Sequence, residues 1–115
     1  FYDAFNKNKL KVKEKLIFTT DSNYSHFSLE NGYVTAKKII QSGQKFTALY
    51  AVSDELAIGA MRALAEEGYK IPEDVSVAGF DGIEIGKFLN PSLTTIRQPL
   101  EKMAVASIKL LFDII

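Results

Sequence analysis

Three short runs in this chain are nearly continuous in apolar character: Leu16–Thr20, Ala48–Ser53 and Val75–Phe80. A strand with one wet face alternates apolar and polar residues. A strand covered on both faces has no reason to, and such strands belong to parallel sheets flanked by helices. A fourth run of strand length, Leu93–Ile96, follows. Between the runs lie segments with helical spacing. Ser25–Ser42 sets Leu29, Tyr33, Ala36, Ile39 and Ile40 on one side and stops at Gly43. Asp54–Glu67 is apolar around much of its circumference and stops at Gly68, a glycine helix stop. Pro99–Ile115 begins with proline and repeats Leu100, Met103, Ala104, Ile108 and Leu111. Strands alternating with helices predict right-handed crossovers and a doubly wound α/β sheet. On such sheets ligands bind beyond the carboxyl ends of the strands. Here those ends carry Thr20-Asp21, Ser53-Asp54 and Asp81-Gly82, each with a carboxylate.

Bulk properties narrow the function classes. With 115 residues there is room for one domain, and 47% apolar residues supply a core. Lysine plus arginine equal aspartate plus glutamate at 14 each, so the chain has no basic field to hold a polyanion unaided. It contains no cysteine and one histidine, which rules out disulfides, thiolate metal sites and a histidine-based centre. No apolar run reaches the roughly 18 residues of a membrane span. The lysine-rich stretch Asn6–Lys15 reads as a solvated loop. Phe1, Tyr2, Ala4 and Phe5 form the apolar face of a helix with no cap before it, and the chain ends on the apolar stretch Leu110–Ile115. These ends predict a fragment of a larger protein.

Individual residues carry more than one reading. Asp81, in VSVAGFDG, is placed to accept paired hydrogen bonds from a ligand, but position alone leaves a turn-capping role equally open. Ser53-Asp54 is first of all an N-cap, at a rim where a hydroxyl also meets ligands. Tyr24 and Phe27 follow the first run, where an aromatic ring either stacks on a sugar or base or staples the next helix. His26 and Arg97 read as surface residues. Gln98 offers both a donor and an acceptor. Enzyme signatures are missing: there is no GxxxxGK[ST], no GxGxxG after the first strand and no GxSxG elbow. The paired acids Glu66-Glu67 and Glu73-Asp74 fall at a helix end and in a loop. A binding module is expected, not an enzyme, and no cofactor is called for.

Three segments taken together are more specific than any one of them. FTALYAVSDELAIGAMRALAEEGYKIPEDVSVAGFDG, NPSLTTIRQPLEKMA and the earlier GYVTAKKIIQSG, in this order and spacing, resemble the C-terminal half of LacI/GalR-family transcriptional regulators. The resemblance runs from about Phe1 to Ile115. It implies a three-layer αβα sandwich with a mainly parallel sheet, of the type I periplasmic-binding-protein-like kind. It implies an incomplete lobe, with residues 1–115 forming the C-terminal lobe of the effector domain. The last strand, the first lobe and the N-terminal DNA-binding head lie outside it.

Effector residues implied by the resemblance are Asp81 as clamp, Ser53 at the helix opening, Gln98 after the Leu-Thr-Thr strand and Phe27 as cleft aromatic, with Tyr24 competing. A homodimer seam is implied near Ile58, Met61, Arg62, Phe88 and Leu89. The resulting expectation is a cytoplasmic repressor that senses a sugar or sugar phosphate and meets operator DNA through its absent head. Competing expectations are a periplasmic sugar-binding protein of an ABC transporter and an enzyme on a Rossmann-like sheet.

Overall fold

The structure, a computed structural model, describes residues 2–115. In chain order it forms α1 (Tyr2–Lys7), α2 (Leu29–Gln41), β1 (Ala48–Tyr50), α3 (Asp54–Glu66), β2 (Ser76–Asp81), β3 (Thr94–Arg97) and α4 (Leu100–Ile114). Short 3-10 turns occupy Glu14–Leu16 and Glu84–Phe88. Phe1, read as part of the first helix, lies outside the described residues. The sheet is open and parallel, in the order β1-β2-β3, with Leu49 opposite Val77 and Gly79 opposite Thr95. The α/β class with a parallel sheet is as expected.

Both long central helices start where a serine hydroxyl accepts an orphan amide of the first turn. Ser28 takes the Asn31 N–H at 3.1 Å, so α2 begins at Leu29, inside the Ser25–Ser42 segment of helical spacing. Ser53 takes the Leu56 N–H at 3.3 Å. The helices then touch backbone to backbone. A Cβ on Gly32 would stand 2.2 Å from the Leu56 carbonyl oxygen, and one on Gly59 would stand 2.0 Å from that of Leu29. Buried Ala36, Ala60 and Ala63 extend the seam. At its outer rim Lys37 pairs with Glu66 and Glu67, and Arg62 with Glu66.

The other side of α3 lies on the sheet. Leu56, Ala57, Met61 and Leu64 close a core with Ala51, Val75, Val77 and Leu93. This explains the apolar circumference of α3, which is enclosed by α2 on one side and the sheet on the other. Met61, one of the expected seam residues, is 9% exposed and belongs to that core.

Among the described residues, one helical layer covers the sheet. Tyr50 and Ile96, on the opposite face, are exposed, and α4 buries none of its residues. The predicted strand Leu16–Thr20 is not formed. Lys13 and Glu14 carbonyls take the Leu16 and Ile17 amides into a 3-10 turn. Among the described residues, no backbone hydrogen bond links 17–20 to the free edge of β1. Leu16, Phe18 and Thr20 instead face Leu49–Val52 across a cavity of about 200 Å³.

Candidate functional site

The carboxyl ends of β2 and β3 meet at one point. There Asp81 has a φ of +127°, a region L residues rarely adopt. Gln98 is bonded to it twice. Its backbone N–H donates to the Asp81 carbonyl at 3.1 Å, and its Nε2 donates to Asp81 Oδ1. A carboxylate only accepts, so the amide must turn its nitrogen toward Asp81 and its oxygen away. Among the described residues, Asp81 Oδ2 and Gln98 Oε1 then have no protein donor. The half-buried pair presents two neighbouring acceptors, the complement of a ligand carrying adjacent hydroxyl or amine donors.

What holds the turn after Asp81 is a residue that sequence reasoning treated only as a possible cap. Asp54 is completely buried. Its Oδ2 accepts the Gly82 N–H at 2.7 Å and the Ile83 N–H at 2.8 Å, and its Oδ1 accepts the Thr95 hydroxyl. Room for this carboxylate comes from Gly79, where a Cβ would lie 2.3 Å from Asp54 Oδ1. The one sequence signal was a glycine inside a strand, which often marks close approach by another group.

Ser53 stands beside it, buried, and caps α3 as expected. The loop carrying Tyr24 and Phe27 is organised separately. Fully buried Asn31 accepts the Asp21 N–H at 2.9 Å and donates to the Asp21 and Ser25 carbonyls at 2.9 and 3.3 Å. Lys38 binds the Asp21 carboxylate and, with the Asn23 N–H, holds its pKa below the ordinary range. Asp21 is thus occupied within the chain. Phe27 is 59% exposed and Tyr24 half-buried. Among the described residues, no polar contact of this loop reaches Asp81 or Gln98. The structure therefore joins Asp81 with Gln98, sets Ser53 next to their support, and leaves Tyr24 and Phe27 on a neighbouring loop.

Of the expected seam residues, Ile58 and Leu89 are half-buried against the core. Phe88 is 76% exposed, and Arg62 is exposed but paired with Glu66. Arg97 is a surface charge 4.0 Å from Glu84. Among the described residues, no cluster of histidine, cysteine, aspartate or glutamate fits a metal ion, and no helix is long and apolar enough to cross a membrane.

Comparison with known proteins places this geometry in context. The model of the periplasmic binding protein-like domain matches residues 1–115. The HTH-type transcriptional regulator MalR of Clostridium butyricum is 36% identical over 112 residues, 97% of this chain and 32% of its own length. The HTH-type transcriptional repressor PurR of Vibrio atlanticus is 32% identical over 110 residues, 96% of this chain and 31% of its own. The chain thus spans about a third of the length of these relatives. A sugar-binding LacI-family regulator from Escherichia coli, solved with phosphate, superposes with a TM-score of 0.79 at 36% identity, over 89% of this chain and 35% of that one. A LacI-family regulator from Enterococcus faecium with bound ribose superposes at 0.78 and 34% identity, over 98% and 40%.

Proposed function

The chain belongs to the periplasmic binding protein-like domain family, in the form found in LacI-family regulators, and from that premise we propose that it is the C-terminal effector-binding lobe of a bacterial transcriptional repressor. The observation that carries the reading is the acceptor pair of Asp81 Oδ2 and Gln98 Oε1 at the carboxyl ends of adjacent parallel strands. Two acceptors side by side favour a polyhydroxy ligand and disfavour an anionic group at this point. A sugar phosphate would turn its hydroxyls here and its phosphate elsewhere. Phe27 or Tyr24 supplies a ring for the apolar face of the sugar, and Ser53 completes the polar rim.

In this reading residues 1–115 are one half of a cleft. The other lobe and a DNA-binding head belong to the rest of the protein, which works in the cytoplasm as a homodimer with Phe88 and Arg62 near the seam. Effector binding shifts the arrangement of the lobes and, through it, of the two heads. The relatives named above are regulators, which favours this reading over a transport protein.

The test is calorimetry of the full-length protein with D-ribose, lactose and cellobiose. Asp81→Asn should weaken every sugar that binds by about tenfold to a hundredfold, the worth of one or two charge-assisted bonds. Unchanged affinity removes Asp81 from the site. The 115-residue chain alone should give no mobility shift with operator DNA at physiological salt, and a shift overturns its assignment as an effector lobe without a head.

A further inference from the structure

We propose that Asp54 is a positioning residue of the effector site, a buried latch that holds Asp81 in its strained backbone conformation and aims its carboxylate at the ligand. This rests on the reading of Asp81 as the effector clamp. Asp54 itself touches no ligand position. It is fully buried, and no lysine, arginine or histidine stands within ion-pair distance of it among the described residues. A buried carboxylate without a cation is tolerated only when hydrogen bonds replace its hydration, and here three donors do so. Those donors come from two distant places. Gly82 and Ile83 directly follow Asp81 on the exit of β2, and Thr95 lies on β3, two residues before Arg97 and three before Gln98.

One carboxylate at the start of α3 therefore ties together the strand end carrying Asp81 and the strand carrying Gln98. The Gly82 and Ile83 amides both donate to the same Asp54 oxygen, which fixes the backbone immediately after Asp81. Asp81, the residue before those two amides, has a φ of +127° and a half-buried side chain that takes the Gln98 amide. A non-glycine residue persists in such a conformation only where its surroundings over-determine it. Two independent restraints do so: the latch on its C-terminal side, and the backbone bond from Gln98 to the Asp81 carbonyl. Gly79 is the complementary half of the device, because any side chain there would occupy the space of the carboxylate.

The experiment uses the full-length protein. Hydrogen exchange is resolved to the 81–84 segment, and sugar affinity is measured with D-ribose, lactose and cellobiose as probes. Asp54→Ala should speed exchange of the Gly82 and Ile83 amides and weaken the sugars that bind, each by about tenfold or more. Exchange in α2 should stay as it was. Thr95→Val, which keeps the side-chain shape, should move both readouts in the same direction by less, and it carries the test if Asp54→Ala does not fold. Asp54→Asn should restore most of both, because its carbonyl can accept the two amides and its amide can donate to the Thr95 oxygen. The proposal is overturned if folded Asp54→Ala or Thr95→Val leaves the 81–84 exchange or the sugar affinity at the wild-type value. It is also overturned if α2 loses protection equally, which is the mark of a merely structural role. If Asp81→Asn leaves sugar affinity unchanged, or the wild type binds none of the three sugars, the clamp reading fails. The latch is then judged on the exchange pattern alone.

Discussion

Helices α3 and α4 are close in length and both carry enough leucine, isoleucine and methionine to line a core. In α3 eight residues are buried, among them Leu64 with no exposed surface. In α4 none is buried: Leu111 is 52% exposed and Phe112 71%. Amphipathic pattern is therefore a statement about what a helix can bury, and a partner surface decides whether it does. α3 has partners on both sides, α2 through the glycine contacts and β2 through the core, and its first turn then supports the effector rim. α4 has its apolar face turned to solvent, as does the sheet surface around Tyr50 and Ile96.

The largest expected break in this contrast is a pair of truncations. Leu64→Ala should destabilise the protein by about 2–5 kcal/mol, the range for a large aliphatic side chain lost from a packed core. Leu111→Ala in the 115-residue chain should cost less than about 0.5 kcal/mol, as an exposed substitution does. Urea unfolding of both variants decides it, and comparable losses would mean that α4 is packed after all. In the full-length protein the cost of Leu111→Ala should rise if the rest of the chain covers α4.

Next comes the seam between α2 and α3. Gly59→Ala places a methyl carbon where the Leu29 carbonyl now stands, so the helices must separate at a cost of about 1–3 kcal/mol. An unchanged unfolding midpoint would contradict the backbone contact. Asn31→Ala should cost about as much or less, since it strands the Asp21 amide. Its distinctive sign is faster exchange in the 21–27 loop with β2 unaffected, because among the described residues the two rim regions share no polar contact.

The smallest effect is electrostatic. Glu66 is held at a pKa of about 2, chiefly by the Tyr33 hydroxyl and then by Arg62. A folded-state pKa below the ordinary 4.5 means that the charged form stabilises the fold. The contribution is complete above pH 4.5 and fades as pH falls toward 2. Glu66→Gln should thus lower the urea midpoint slightly at pH 7, and the gap to wild type should close on acidification. A gap independent of pH would assign the effect to packing.

Much of the architecture was legible residue by residue. Ser53 and Gly68 bracket α3 as their types predict, and β2 ends at the expected Asp81. Gln98 was readable as a site residue through resemblance, and it does meet Asp81. The strand expected at Leu16–Thr20 failed for a different reason. An apolar run of strand length carries no information about which edge will accept its hydrogen bonds, and here its first amides are taken by a local turn. The burial of Met61 was not legible either, because helix periodicity cannot distinguish a face turned to another subunit from one turned to the chain's own sheet.

By itself the sequence determined local conformation and the types of chemistry available. Serine caps, glycine stops and uninterrupted apolar runs act over a few residues, and they suffice to set helix limits and a parallel α/β sheet. They also suffice to place a carboxylate at a strand end. Only the tertiary structure decided that this carboxylate is held by another, Asp54, through bonds that span 28, 29 and 41 residues of chain. The acceptor pair at the rim depends on Gln98, 17 residues from Asp81. Hydrogen bonds act over about 3 Å in space, with no regard for separation along the chain. Their partners are chosen when the helices and strands pack, after local pattern has said all it can.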